Sequence, residues 1–478
     1  MISVVFICFT TKKSNWKPPK SLFSIKKNTD TVIRKHNMIK ESLIEKFSES
    51  LIKGNGVLFI GSGISAPSGF PTWKSLLEPL AKELDLDLTD NDDLTEIAQY
   101  IVNDYTGNKG PLLSNLLNVF KAQNIPNEYH NILVRTNIKK IWTTNFDTLL
   151  EKAFNQFNIE TDIKTNDSDF LKNTTNKQLQ IVKMHGCVDR NPNDIIFLQQ
   201  DYEDFFIKKP TIARQLQMDL LNNSFLFIGY NFGDLNLSNI LIETRRLSNQ
   251  ITRPHFLIQK KDKSNIRKQE LWCNNIKRFG IETVLIEHYS ELNTILEKIA
   301  HKSKGKTIYV TGSHLNDSEL FAKQLGIELS KIVDITLLDG QSTGISRVCI
   351  NNFSQTCLNN KVDIHDKMLM FANPYAINKD FSNKTELLPI LKSWRNPIFR
   401  ICQIVIIFDG GLGTEAELEL AKQFGTFILP IPLKIDDLAY RTLVAQESQI
   451  DPDYYKKAYK LELEVFDVIN YIKKILNE

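Results

Sequence analysis

The strongest constraint on this chain is a recurring unit. A short apolar run is closed by glycine or a polar residue, and a segment with helical spacing follows. Val57-Leu58-Phe59-Ile60 runs into Gly61-Ser62-Gly63-Ile64-Ser65, and a helical pattern extends from Trp73 to Leu84. The same punctuation returns at Thr143-Thr144-Asn145-Phe146-Asp147, at Lys183-Met184-His185-Gly186 and at Gly229-Tyr230-Asn231-Phe232-Gly233-Asp234. Runs of this kind suit strands buried on both faces, and their alternation with helices implies a mostly parallel sheet covered by helices. Strands are predicted at 57–60, 140–143, 181–184, 225–229, 256–259 and 283–286. Helices are predicted at 38–53, 73–84, 94–105, 111–120, 147–157, 235–246 and 292–300.

A chain of 478 residues exceeds one hydrophobic core. The polar stretch His301-Lys302-Ser303-Lys304-Gly305-Lys306 is the predicted boundary. Beyond it the alternation restarts, with strands at 307–311, 335–338, 403–408 and 427–431 and helices at 319–332, 415–424 and 462–476. The reading is an α/β domain at 38–302 followed by a smaller α/β domain at 303–478. Residues 10–37 are polar, lysine-rich and without periodicity, and residues 1–37 are read as a disordered leader or as translated upstream sequence, with Met38 as the natural start. The formal charge of +3 makes no case for nucleic acid. Residues 2–9 are apolar but too short to span a bilayer. Six cysteines stand singly, which supports neither zinc nor a disulfide framework. No metal is expected, and a reducing cytoplasm is the simplest compartment.

Ligands of open α/β sheets bind beyond the carboxyl ends of the strands. Gly61 and Gly63, with Ser62 and Ser65, would let backbone N–H groups approach a diphosphate at a helix N-terminus; a plain tight turn is the alternative. Asn145 could bond a ribose hydroxyl or hold a water beside C1′, or be a turn asparagine. His185 could deprotonate a water or a ribose hydroxyl, or be a satisfied core histidine. Asp147 reads first as a helix N-cap and second as a ligand. Gly229, Asn231 and Asp234 are candidates for the adenosine and ribose, with Asp234 also fit to cap the next helix. An amide and an imidazole at the floor of a nucleotide pocket suit cleavage of the bond between nicotinamide and ribose in NAD.

The second domain carries Asp409-Gly410-Gly411-Leu412-Gly413-Thr414-Glu415-Ala416-Glu417. Its glycines could cradle phosphate and Glu417 could bind ribose, although Thr414 and Glu417 also fit a capping box. Gly312 with Ser313, and Gly340 to Gly344, supply two more strand-end loops. Arg395 could pair with phosphate or be a solvated arginine.

The four N-terminal motifs, in their order, resemble the sirtuin-like fold over roughly residues 40–300. Two features depart from deacylating sirtuins: no four-cysteine zinc module, and no arginine soon after the glycine loop, where Gly69-Phe70-Pro71-Thr72-Trp73 stands. Both argue for NAD itself as substrate with water as acceptor, and against acyl-lysine. The 409–417 loop resembles that of the SLOG and LOG nucleotide-binding superfamily, with Asp409 in place of its proline. The combination resembles the NADase effectors of Thoeris anti-phage defence. That resemblance implies NAD hydrolysis with Asn145 and His185 catalytic, activated by a cyclic ADP-ribose signal from a TIR-domain partner. It also implies a homo-oligomer, tetrameric or larger, in which the signal binds the SLOG domain. Two alternatives stay open: a LOG-type phosphoribohydrolase using Arg395 and Glu417, and a non-enzymatic nucleotide sensor.

Overall fold

The computed structural model describes residues 29–89, 92–120, 124–172, 179–230, 232–247, 253–314, 319–373 and 384–477. Seven strands form the first sheet: β1 (Gly56–Ile60), β2 (Lys140–Thr143), β3 (Thr161–Lys164), β4 (Leu179–Lys183), β5 (Ser224–Ile228), β6 (His255–Lys260) and β7 (Ile281–Ile286). Their order is β3-β4-β2-β1-β5-β6-β7, and every pairing is parallel. The central strands β1 and β5 are buried at every residue, as continuous apolar runs covered on both faces require. β3 escapes the sequence pattern because Thr161-Asp162-Ile163-Lys164 has only one apolar residue and is too short to show a period.

The second sheet contains β8 (Thr307–Thr311), β9 (Thr336–Asp339), β10 (Met368–Met370), β11 (Ile404–Ile407) and β12 (Phe427–Pro430). It is also parallel, in the order β10-β9-β8-β11-β12. An α/β architecture with a larger and a smaller parallel sheet is therefore present. Among the described residues, no helix is long and apolar enough to cross a membrane.

The first helix differs from its predicted start. It spans Thr29–Ile52 and so begins upstream of Met38. Ser303 and Lys304 are buried, and Lys304 Nζ donates to Phe424 O at 2.6 Å. One apolar cluster runs through both halves, joining Leu43, Phe47, Ile141 and Phe154 to Tyr309, Leu338, Phe399 and Val405. Phe157 meets Phe424 edge-on at 5.4 Å between centroids.

The helix Lys384–Ile401 lies at this junction. Asn396 Nδ2 donates to Phe157 O, and the buried Arg400 guanidinium donates to Thr136 O at 3.3 Å and to Ile138 O. The Thr136 and Ile138 carbonyls lie in the segment leading into β2.

Candidate active site

The strand order brings the four N-terminal motifs together. Gly61, Thr144, Met184 and Gly229 follow β1, β2, β4 and β5, which are adjacent in the order β4-β2-β1-β5. Ile60 is level with Thr143 and with Ile228, and Thr143 is level with Lys183, so the four strands end together. The chain moves from one side of β1 to the other between β4 and β5, which is the switch point where a parallel sheet opens a crevice.

A cavity of about 370 Å³ sits there, lined by Ser62, Gly63, Ser65, Asn145, Asp147, His185 and Asp234. Its other wall is aromatic: Phe70, Trp73, Phe120, Phe146, Phe197 and Tyr202. This volume and mixed lining are those of a small-molecule site.

Asn145 is held from three sides. Its backbone N–H donates to Thr143 Oγ1 at 3.0 Å, and Nδ2 donates to Gly61 O at 3.2 Å and Ser65 Oγ at 3.1 Å. That leaves Oδ1 buried without a partner among the described residues. An orphaned buried acceptor costs about 1–3 kcal/mol, so its persistence beside a cavity marks a place for a ligand donor.

His185 is also buried, and its Nε2 lies 3.2 Å from Asp234 Oδ2. That approach is close but not aligned as a hydrogen bond, and Nε2 has no hydrogen-bond partner among the described residues. Burial lowers the imidazole pKa; Asp234 opposes that shift and Lys209 adds to it. The ring is thereby kept as a neutral base.

The loops are braced from beneath. Lys183, fully buried, donates to Asp147 O and to Glu151 Oε1 at 2.7 Å. The pair clamps the end of β4 to the segment that follows Asn145. Asp147 Oδ1 accepts from Leu149 N at 3.0 Å at the start of the helix Leu149–Gln156, and its carboxylate also borders the cavity.

The glycine loop departs from expectation. It enters two single turns of 3-10 helix, Ser62–Ile64 and Ala66–Ser68, and the next α-helix begins only at Trp73. No α-helix N-terminus therefore points from Gly61 or Gly63 at the cavity, because Pro67 and the left-handed Gly69 stop the chain from continuing helically. A Cβ on Gly61 would stand 2.4 Å from Gly229 O. Gly229 has φ +61°, and a Cβ there would meet Ile64 N at 2.7 Å. These glycines let the β1 and β5 loops touch. Asn231 lies outside the described residues.

At the second sheet, the loops after β8, β9 and β11 also meet across neighbouring strands. Gly411 N–H donates to Ser313 Oγ, and Gly340 lies against Arg395. Arg395 is fully buried rather than solvated. It donates to Glu417 Oε1 at 2.7 Å, to Gly340 O at 2.9 Å and to Ser342 Oγ at 3.0 Å. Glu417 is further occupied by the Tyr309 and Thr311 hydroxyls. The helix there begins at Leu412 with Gly411 as its N-cap, so Gly413 and Thr414 lie in its first turn and no Thr414–Glu417 capping box forms. Ser313, Gln341 and Thr343 face outward, as does Leu412. Arg347, which pairs with Asp339 through two bonds of 3.0 Å, went unnoticed in the sequence because nothing local marks it.

Residues 139–282 match the SIR2-like domain family. The chain is 32% identical to the NAD(+) hydrolase ThsA of Bacillus cereus, over 83% of its own length and 87% of that protein. Identity to the NAD(+) hydrolase ThsA of Cytobacillus dafuensis is 30%, over 82% and 85% of the two chains. To that of Acinetobacter baumannii it is 29%, over 81% and 86%. With its sirtuin-like motifs assembled around one cavity and this similarity along most of its length, the chain belongs to the ThsA family of NAD(+) hydrolases.

Proposed function

We infer that the protein hydrolyses NAD to nicotinamide and ADP-ribose in the cavity beyond β1, β2, β4 and β5. The observation that carries this is the buried, unpartnered Asn145 Oδ1 together with the buried His185 imidazole, on two loops that border one cavity. Asn145 places the water and the ribose. His185 takes a proton from the attacking water as the C1′–N bond breaks through an oxocarbenium-like sugar. The aromatic wall suits a flat nicotinamide ring, and Ser62 and Gly63 lie where a diphosphate would pass. Nicotinamide release from NAD is the test. Asn145→Ala and His185→Ala are each expected to lower it by about 10²-fold or more, and equal rates in all three proteins would end the assignment.

The finer reading is that this activity is switched. A cyclic ADP-ribose-type signal from a TIR-domain partner binds the loops after β8, β9 and β11, and a homo-oligomer of four or more chains becomes active. NAD depletion then halts the infected cell. Support comes from the loop cluster around Ser313, Gly340, Gly344, Gly410 and Gly411, and from the helix Lys384–Ile401. That helix carries Arg395 at the loops and Arg400 at the carbonyls before β2. A signal shifts the balance only if it binds the active state more tightly. Turnover with added cyclic ADP-ribose should rise; turnover indifferent to it would remove the sensor reading. A monomer by light scattering, with and without the signal, would remove the oligomer. No observation favours phosphoribohydrolase chemistry, since Arg395 and Glu417 are committed to each other.

A further inference from the structure

We propose that Asp234 is a positioning residue for His185: it holds the imidazole and favours the imidazolium that forms when NAD is hydrolysed. The proposal rests on the NAD-hydrolase reading.

The Asp234 carboxylate is divided between two tasks. Oδ1 accepts from Asn236 N at 2.8 Å and Leu237 N at 3.0 Å, capping the helix Leu235–Leu247. Oδ2 faces His185 Nε2 at 3.2 Å, with both side chains less than a tenth exposed. The cap anchors the carboxylate, so its free oxygen stands at a set place beside the ring. Tyr202 packs edge-on to the imidazole at 5.2 Å and limits its tilt. Lys209, tied to Met184 O and Thr165 O, is the opposing charge. Of the groups around His185, burial and Lys209 disfavour the protonated ring and Asp234 favours it.

The chemistry requires that contribution. Water adds to C1′ through a new C–O bond as the C1′–N bond breaks. Its electron pair passes to the pyridinium nitrogen, and nicotinamide leaves neutral. The proton lost by water goes to the His185 ring nitrogen turned away from Asp234, while Nε2 keeps its hydrogen toward that carboxylate, and then passes to solvent. NAD+ and water thus give ADP-ribose, nicotinamide and one proton. A buried imidazole beside Lys209 is a poor acceptor unless a carboxylate offsets the charge it gains.

Asp234→Asn keeps the cap and removes the charge, and Asp234→Ser keeps the cap and removes the second oxygen. Both are expected to melt as the wild type does. Their kcat should fall roughly 10- to 100-fold with KM changed less than about threefold. The acid limb of the kcat/KM profile should move to lower pH in Asp234→Asn. A raised KM with kcat and pH profile unchanged would make Asp234 a ribose ligand instead, and no change in any of these would leave it only a cap. NMR titration of the labelled His185 ring, identified with His185→Ala, needs no turnover. Its pKa should drop in Asp234→Asn, and an unmoved pKa overturns the proposal. A wild type that never releases nicotinamide would instead overturn the hydrolase reading, so the two failures are distinguishable.

Discussion

His255 accepts a hydrogen bond from Phe225 N at Nδ1, 3.2 Å away, and so must be neutral there. Burial lowers its pKa to about 4. His130, buried beside Asp147, accepts from Asn127 N in the same way, and burial takes it to about 4 as well. An unfolded histidine titrates near 6.5. Between these values the unfolded chain binds more protons than the folded one, so their stabilising effect is complete above pH 6.5 and is lost as pH falls toward 4. Each contributes on the order of 3 kcal/mol to that slope. Urea unfolding at pH 7 and pH 5 should show a clear loss of stability at the lower value. His255→Gln, which retains an acceptor but does not titrate, should flatten the slope; an unchanged slope would show that His255 is not its source. At this scale Asn145 and His185 were legible because each ends an apolar run. The burial of Arg395 was not legible, since its partners Gly340, Ser342 and Glu417 are distant in sequence.

At the scale of elements, the helix Lys384–Ile401 ties the two sheets together through Arg400. The guanidinium is buried, which lowers its pKa to about 10, and it sits 5.9 Å over the Phe154 ring. Arg400→Met leaves Thr136 O and Ile138 O without these donors, at a cost of about 1–3 kcal/mol for each carbonyl left unsatisfied. Calorimetry of the variant should therefore show the two domains melting apart where the wild type melts in one step. A single transition at the wild-type temperature would show that Arg400 does not carry the junction. Most strands were readable from period and punctuation. β3 and β10 were not: β3 is short and mostly polar at a sheet edge, and β10 is only three residues long. The glycine loop was readable as a loop but not as 3-10 turns, since only packing against Gly229 imposes that path.

For the whole molecule, the shared apolar cluster makes the boundary near residue 303 a joint rather than a tether. A fragment ending at residue 302 would expose Phe157 where Phe424 now packs and Phe154 where Arg400 now lies. It should aggregate or melt well below the full chain, and a soluble fragment with the parent's melting temperature would refute that. The architecture itself could be read locally. Strand length, turn residues and alternation are short-range properties, and they suffice for two parallel sheets with functional loops at the strand ends. Which loops meet depends on strand order, and so do the 3.2 Å approach of Asp234 to His185 and the packing of one sheet's helices on the other. Those are contacts between residues far apart in the chain, selected by the burial of a common core, and no local pattern encodes them.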